Sequence, residues 1–135
     1  MKYLVDVNVM CEPSKAKGTH HVNTWLKTNE KDLCVDPIVM GEIWSGIVSL
    51  PTGMKKNKLV TWFEKLRAEV PCLDWTIETG VIWAELKEDV RKRGFSVGTE
   101  DTMIAATAMH YGLTVATRNV GDFIRCGVQV FNPFL

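Results

Sequence analysis

Two short, unbroken apolar runs, Tyr3-Leu4-Val5 and Leu33-Cys34-Val35, and the mostly apolar Leu113-Thr114-Val115-Ala116 are separated by long stretches of helical periodicity. This alternation limits the fold more than any other feature of the chain. A strand with no polar alternation has no face for water, so it must be covered on both sides, as strands of parallel sheets are. Strands alternating with helices then predict an α/β chain with an open, mostly parallel central sheet between two helical layers.

The local signals divide the chain further. Lys2 to Asp6 reads as the first strand, His21 to Lys27 as a short helix and Leu33 to Val35 as a second strand. Asp36 followed by Pro37 is a cap and a first helical residue, so a helix should run from Pro37 to about Leu50 and end at Pro51-Thr52-Gly53. From Lys58 to Val70 the apolar residues Leu59, Trp62, Phe63, Leu66 and Val70 recur at helical spacing. Cys72 to Trp75 could form a brief third strand. Ile77, Val81, Ile82, Leu86 and Val90 define a long helix closing at Gly94, and Ser96 to Thr99 is a loop. Glu100 to Tyr111 is a helix ended by Gly112, Leu113 to Ala116 the strand after it, and Val128 to Phe131 the last strand.

A chain of 135 residues fits one domain over residues 1–135 with a single core, and nothing in it reads as a linker or repeat. Sixteen Lys and Arg balance sixteen Asp and Glu, so no bulk positive charge advertises binding to nucleic acid, and any such contact must be local. The apolar stretch at the start is interrupted by Asp6 and followed by no small-residue cleavage site, so a cytoplasmic protein without membrane association is expected. Cys11, Cys34, Cys72 and Cys126 are widely spaced among apolar residues and are expected to be reduced core thiols.

Against this frame the acids stand out. Sheets of this class bind ligands beyond the carboxyl ends of their strands, and Asp6 lies at such an end. Thr117-Arg118-Asn119-Val120-Gly121-Asp122 emerges on the same edge if its strand runs parallel to the first. Asp101 falls in the first turn of its helix with Thr99 as the expected cap, although acids are common there, and neighbouring Glu100 has the same explanation. Glu42 is the only charged residue between Pro37 and Lys55; alternatively Glu42, Ser45 and Ser49 are simply that helix's exposed stripe. Carboxylate oxygens suit magnesium or manganese, and several close carboxylates stay ionised together only beside a cation. Such a cation lowers the pKa of a water and stabilises charge on an attacked phosphate, which points to phosphodiester hydrolysis. His20, His21 and His110 lie in polar settings, and no Ser has a nucleophile-elbow context.

Four segments carry a family resemblance: Leu4-Val5-Asp6-Val7-Asn8-Val9, Gly41-Glu42-Ile43, Asp101 to Ala108, and Gly112 to Phe123. In order and separation they resemble PIN-domain proteins, and more narrowly the VapC-type toxins of bacterial toxin–antitoxin pairs. The resemblance implies a three-layer α/β/α fold and a Mg2+- or Mn2+-dependent endoribonuclease acting on tRNA or other RNAs of translation. It also implies a homodimer, a VapB-type antitoxin whose tail blocks the site, and contact with operator DNA only through that antitoxin. Asp6, Glu42 and Asp101 match the family's metal ligands. The fourth acidic position falls on Asp122 or on the polar Asn119, and Asn8, Thr117, Arg118 and Asn119 are the expected substrate-contacting residues. Val7 stands where the family usually has Thr, and Asp36 and Val39 where Ser and Thr are common before Glu42, which removes hydroxyls that could orient ligands.

Lys55, Lys56, Lys58, Lys65 and Arg67 gather near one helix and Arg91-Lys92-Arg93 closes another; both runs also read as ordinary solvated helix surface. Arg118, beside the acids, is the preferred phosphate contact. Receiver domains and haloacid-dehalogenase-type phosphatases also place acids at strand ends. The latter need Asp-x-Asp after the first strand, however, and this chain has Asp6-Val7-Asn8. A remaining alternative is a catalytically weak module of the same fold that acts through antitoxin and operator DNA.

Overall fold

The computed structural model describes residues 1–135. Strand β1 (Tyr3–Val5) lies inside a four-stranded sheet of order β2-β1-β3-β4, with β2 at Leu33–Cys34, β3 at Thr114–Ala116 and β4 at Val130–Phe131. All three pairings are parallel: Leu4 lies opposite Cys34 on one side and Val115 on the other, and Val115 opposite Val130. Leu4, Val5, Val115 and Ala116 are wholly inaccessible to solvent. Because successive strand residues point to opposite faces, both faces of the sheet are covered, and the chain forms three layers.

Seven helices supply the cover: α1 (Val7–Met10), α2 (His20–Thr28), α3 (Pro37–Val48), α4 (Met54–Glu69), α5 (Ile77–Lys92), α6 (Thr99–Tyr111) and α7 (Val120–Arg125). Helix α6 is the most enclosed of them, with Thr102, Ile104, Ala105, Ala106, Thr107 and Ala108 all buried. A helix buried on so many sides must be narrow, and the alanines let α5 and α3 approach it closely. Trp83 Nε1–H on α5 donates to Thr102 Oγ1 at 3.0 Å. The helix ends at Gly112, whose φ of 67° is left-handed and suits a residue without Cβ.

Several expectations need correction. Cys72 to Trp75 is not a strand; it contributes only one bridge, between Val35 and Cys72. The helix expected from Lys58 begins at Met54, since the polar first turn hides its start from a periodicity argument. Thr99 is the first residue of α6 rather than its cap, which is Gly98. All four cysteines are free, but Cys72 is exposed and Cys11 half-buried, leaving only Cys34 and Cys126 in the core.

Candidate active site

The parallel register brings the ends of β1 and β3 side by side. Asp6 N–H donates to Ala116 C=O at 2.9 Å and Thr117 N–H to Phe131 C=O at 3.0 Å, so Asp6 and Thr117 are the first residues past the sheet on one edge. Asp6 then caps α1, with Oδ1 accepting from Val7 N–H at 2.8 Å. Its Oδ2 accepts from the Thr117 hydroxyl at 2.6 Å and from Asn8 Nδ2 at 3.1 Å. The carboxylate is 4% exposed and held by three donors across 111 residues of sequence.

From Thr117 the network runs on toward α6. Asn119 N–H donates to Thr117 Oγ1 at 2.9 Å, and Asn119 Nδ2 donates to Asp101 Oδ2 at 2.8 Å and Asp122 Oδ2 at 3.0 Å. Asp122 also pairs with Arg125 Nη1 at 3.2 Å. Of the two adjacent acids on α6, Asp101 turns half-buried into this cluster and Glu100 stays exposed. The two residues weighed for the fourth acidic position thus sit together, with the amide of Asn119 separating the two carboxylates.

Glu42 approaches from α3. It is half-buried, unlike Ser45 and Ser49, which are exposed, so the three do not form one solvated stripe. Burial raises its pKa first, and the negative charges of Asp6, Glu100, Asp101 and Asp36 raise it further. Asp101 is pushed up to about 6 by burial and by Asp6 and Asp122, against the lowering bond from Asn119. Asp6 is raised by burial despite its three donors.

Two of the expected substrate contacts are differently employed. Thr117 is fully buried and its hydroxyl is committed to Asp6, Asn119 and Asn8. Asn8 uses its amide nitrogen on Asp6 and Thr117 and its carbonyl on Arg118 N–H at 3.0 Å. Both therefore shape the site from within. The side chain of Arg118 is free of the acids and lies over the Phe134 ring, 3.8 Å from its centre, at an exposed position. Arg91 and Arg93 pair with Glu88 and Asp89 of their own helix. Lys15, which pairs with Glu12 at 2.7 Å, lines an open cleft with Lys55 and Lys58 between the turn after α1 and the start of α4.

The donor set suits a hard dication. Asp6, Glu42 and Asp101 offer only carboxylate oxygens, burial disfavours the ionised form of each, acidic neighbours add to this at Glu42 and Asp101, and none is ion-paired to Lys, Arg or His. As they stand, no three Asp, Glu, His or Cys side chains close tightly round one point.

Sequence reading assigned Asp36 a capping role alone. Its side chain is completely buried and accepts both from Val39 N–H at 2.8 Å and from the hydroxyl of Thr107 on α6 at 2.7 Å. The Asp-Pro pair signals the cap, but nothing in the spacing links residue 36 to residue 107.

Comparison with known proteins matches residues 3–127 to the PIN domain. The chain is 34% identical to plasmid stability protein StbB of Pseudomonas syringae pv. tomato and 32% identical to toxin FitB of Neisseria gonorrhoeae, in each case covering 97% of both sequences. It is 26% identical to ribonuclease VapC of Rickettsia bellii over 93% of this chain and 90% of that one. Among solved structures, FitAB bound to an IR36 DNA fragment superimposes with a TM-score of 0.89 at 30% identity, over 98% of this chain and 96% of the other.

Proposed function

The chain belongs to the PIN-domain family, and from that premise we propose that it is the toxin half of a VapBC-type toxin–antitoxin pair, a Mg2+- or Mn2+-dependent endoribonuclease. The observation that carries the reading is the continuous hydrogen-bonded path from Asp6 through Thr117 and Asn119 to Asp101 and Asp122, with Glu42 within electrostatic reach. The relative named ribonuclease VapC supports the reaction. The FitAB structure, bound to a DNA fragment, supports a partner protein and contact with DNA through the joint complex.

Asp6, Glu42 and Asp101 would hold the ion, with Asp122 as an outer carboxylate. When bound, the cation supplies Lewis acidity to a water and to the attacked phosphate. Thr117 and Asn8 fix the rotamer of Asp6, so that carboxylate needs no rearrangement on binding. Asn119 keeps Asp101 and Asp122 apart and aimed to one side. Arg118, exposed beside Asn119, would hold a substrate phosphate, and the lysines of the cleft at the start of α4 would neutralise more of the strand. The substrate class is RNA of the translation machinery, tRNA foremost; the acting form is a cytoplasmic homodimer kept silent by its antitoxin.

The purified chain, free of antitoxin, should cleave RNA with Mg2+ or Mn2+ and lose that activity in chelator. Asp6→Asn should abolish cleavage while leaving the circular dichroism spectrum unchanged. If the variant cut RNA at the wild-type rate, the assignment of the centre would be wrong.

A further inference from the structure

We propose that Asp36 is a positioning residue for the acidic centre: its buried carboxylate ties the first turn of α3 to the middle of α6 and so sets the spacing between Glu42 and Asp101. The inference rests on the metal-dependent reading above and concerns a residue outside the ligand set.

Capping α3 requires one acceptor oxygen, and Ser or Asn caps a helix as well as Asp does. Asp36 uses Oδ1 for that purpose, on Val39 N–H, and spends Oδ2 on Thr107 across 71 residues of sequence. A fully buried carboxylate is costly to keep, and burial raises the pKa of this one despite its donors. A neutral cap would avoid that cost, so the second oxygen has work of its own.

The direction of the bond is fixed from behind. Trp75 Nε1–H donates to Thr107 Oγ1 at 3.0 Å, and an indole nitrogen can only donate. The hydroxyl must therefore send its proton onward, to Asp36 at 2.7 Å or to Met103 C=O at 3.3 Å, and the shorter contact is the stronger. Trp75, Thr107 and Asp36 form a polarised chain that ends on an acceptor.

Placement completes the case. Glu42 follows Asp36 by six residues on α3, and Asp101 precedes Thr107 by six residues on α6. Each acid lies about 9 Å along its helix from the clamp, a span over which a helix behaves as a rigid rod. Clamping residue 36 to residue 107 thus sets where both carboxylates stand.

The test separates the bridge from the cap. Asp36→Ser keeps a cap but is too short to reach Thr107, and Thr107→Val removes the hydroxyl at nearly constant volume. Asp36→Asn can still cap through its carbonyl and donate to Thr107, and Thr107→Ser keeps the hydroxyl. Mn2+ affinity by isothermal titration calorimetry, kcat and KM on RNA, and Tm are measured for all four, well below each Tm. Asp36→Ser and Thr107→Val should weaken Mn2+ binding by about 10- to 100-fold and lower kcat with little change in KM, while Asp36→Asn and Thr107→Ser stay within a few-fold of wild type. Folded Asp36→Ser with wild-type Mn2+ affinity and kcat would overturn the inference, even with a lowered Tm. If the wild type itself binds no Mn2+, the metal reading fails. The bridge is then judged from crystal structures of wild type and Asp36→Ser: a wider gap between α3 and α6 at Glu42 and Asp101 upholds it, and an unchanged gap ends it.

Discussion

Asp101 carries a carboxyl pushed up to about 6 by burial and by the charges of Asp6 and Asp122, in a protein without bound metal. A carboxyl whose pKa is higher folded than unfolded favours the folded state while protonated, and that contribution is lost as pH rises through about 6. At neutral pH the ionised group therefore opposes folding, and Asp101→Asn should remove the opposition while the amide oxygen still accepts from Asn119. The variant should lose RNA cleavage, yet its metal-free Tm at pH 7.5 should rise by about 3–4 °C, the response to about 1 kcal/mol in a domain of this size. A drop in Tm, read by calorimetry in chelator, would contradict the repulsion argument. The same carboxyl must lose its proton to bind a cation, so Mn2+ affinity should climb between pH 5 and 7 and binding should release protons. Titration in buffers of different ionisation enthalpy measures that release. The sequence was informative here in part. Asp6 and Asp101 stand at a strand end and a helix start where chemistry is expected and Glu42 is the lone charge in its helix, whereas the preference for Asp101 over Glu100 depends on the helix's rotation against Asn119. The bonds that tie Thr117 and Asn8 to Asp6 were not legible, because a polar residue near an active edge looks the same in sequence whether it faces in or out.

Helix α6 supports the centre through its narrowness. Ala105 is fully buried in the core beside neighbours from the sheet and adjoining helices, so Ala105→Leu should destabilise the fold by about 1–3 kcal/mol through overpacking. Urea unfolding would show it as a lower midpoint at unchanged slope. Gly112, left-handed at the end of the same helix, should tolerate Ala only at a cost of about 1 kcal/mol, seen in the same measurement. Elements with a strong period or an unbroken apolar run were readable: β1, β3, α3, α5 and α6 all lie within a few residues of their expected bounds. Short helices were not. Val7–Met10 and Val120–Arg125 are too brief to show periodicity; the first starts at the Asp6 cap, and the second starts at Asn119 without a side-chain cap. The expected strand at Cys72 to Trp75 failed for the opposite reason, since apolar residues after a helix satisfied the pattern with only one bridge to pair.

The whole molecule carries no net charge, so on the proposed function attraction for RNA must come from local groups, for which Arg118 and the lysine-lined cleft are the candidates. With three or four phosphates neutralised, the logarithm of RNA affinity should fall with the logarithm of salt at a slope of about −2 to −3, and Arg118→Ala should lower that slope by about 0.7. Fluorescence anisotropy at several salt concentrations measures both, and a slope unaffected by the variant would remove Arg118 from the contact. Long-range order also governs when the centre exists. Leu4 pairs with Val115, and the hydroxyl that holds Asp6 arrives two residues later, at Thr117. A chain ending at Gly112 should therefore show no Mn2+ heat in calorimetry and little cooperative unfolding. During synthesis the first strand can pair early with β2, but its β3 side stays open until Thr114–Ala116 has been made. On the proposed reading, a nascent chain is silent toward RNA until residue 117 has joined the sheet, and a restraining partner has that interval in which to be made.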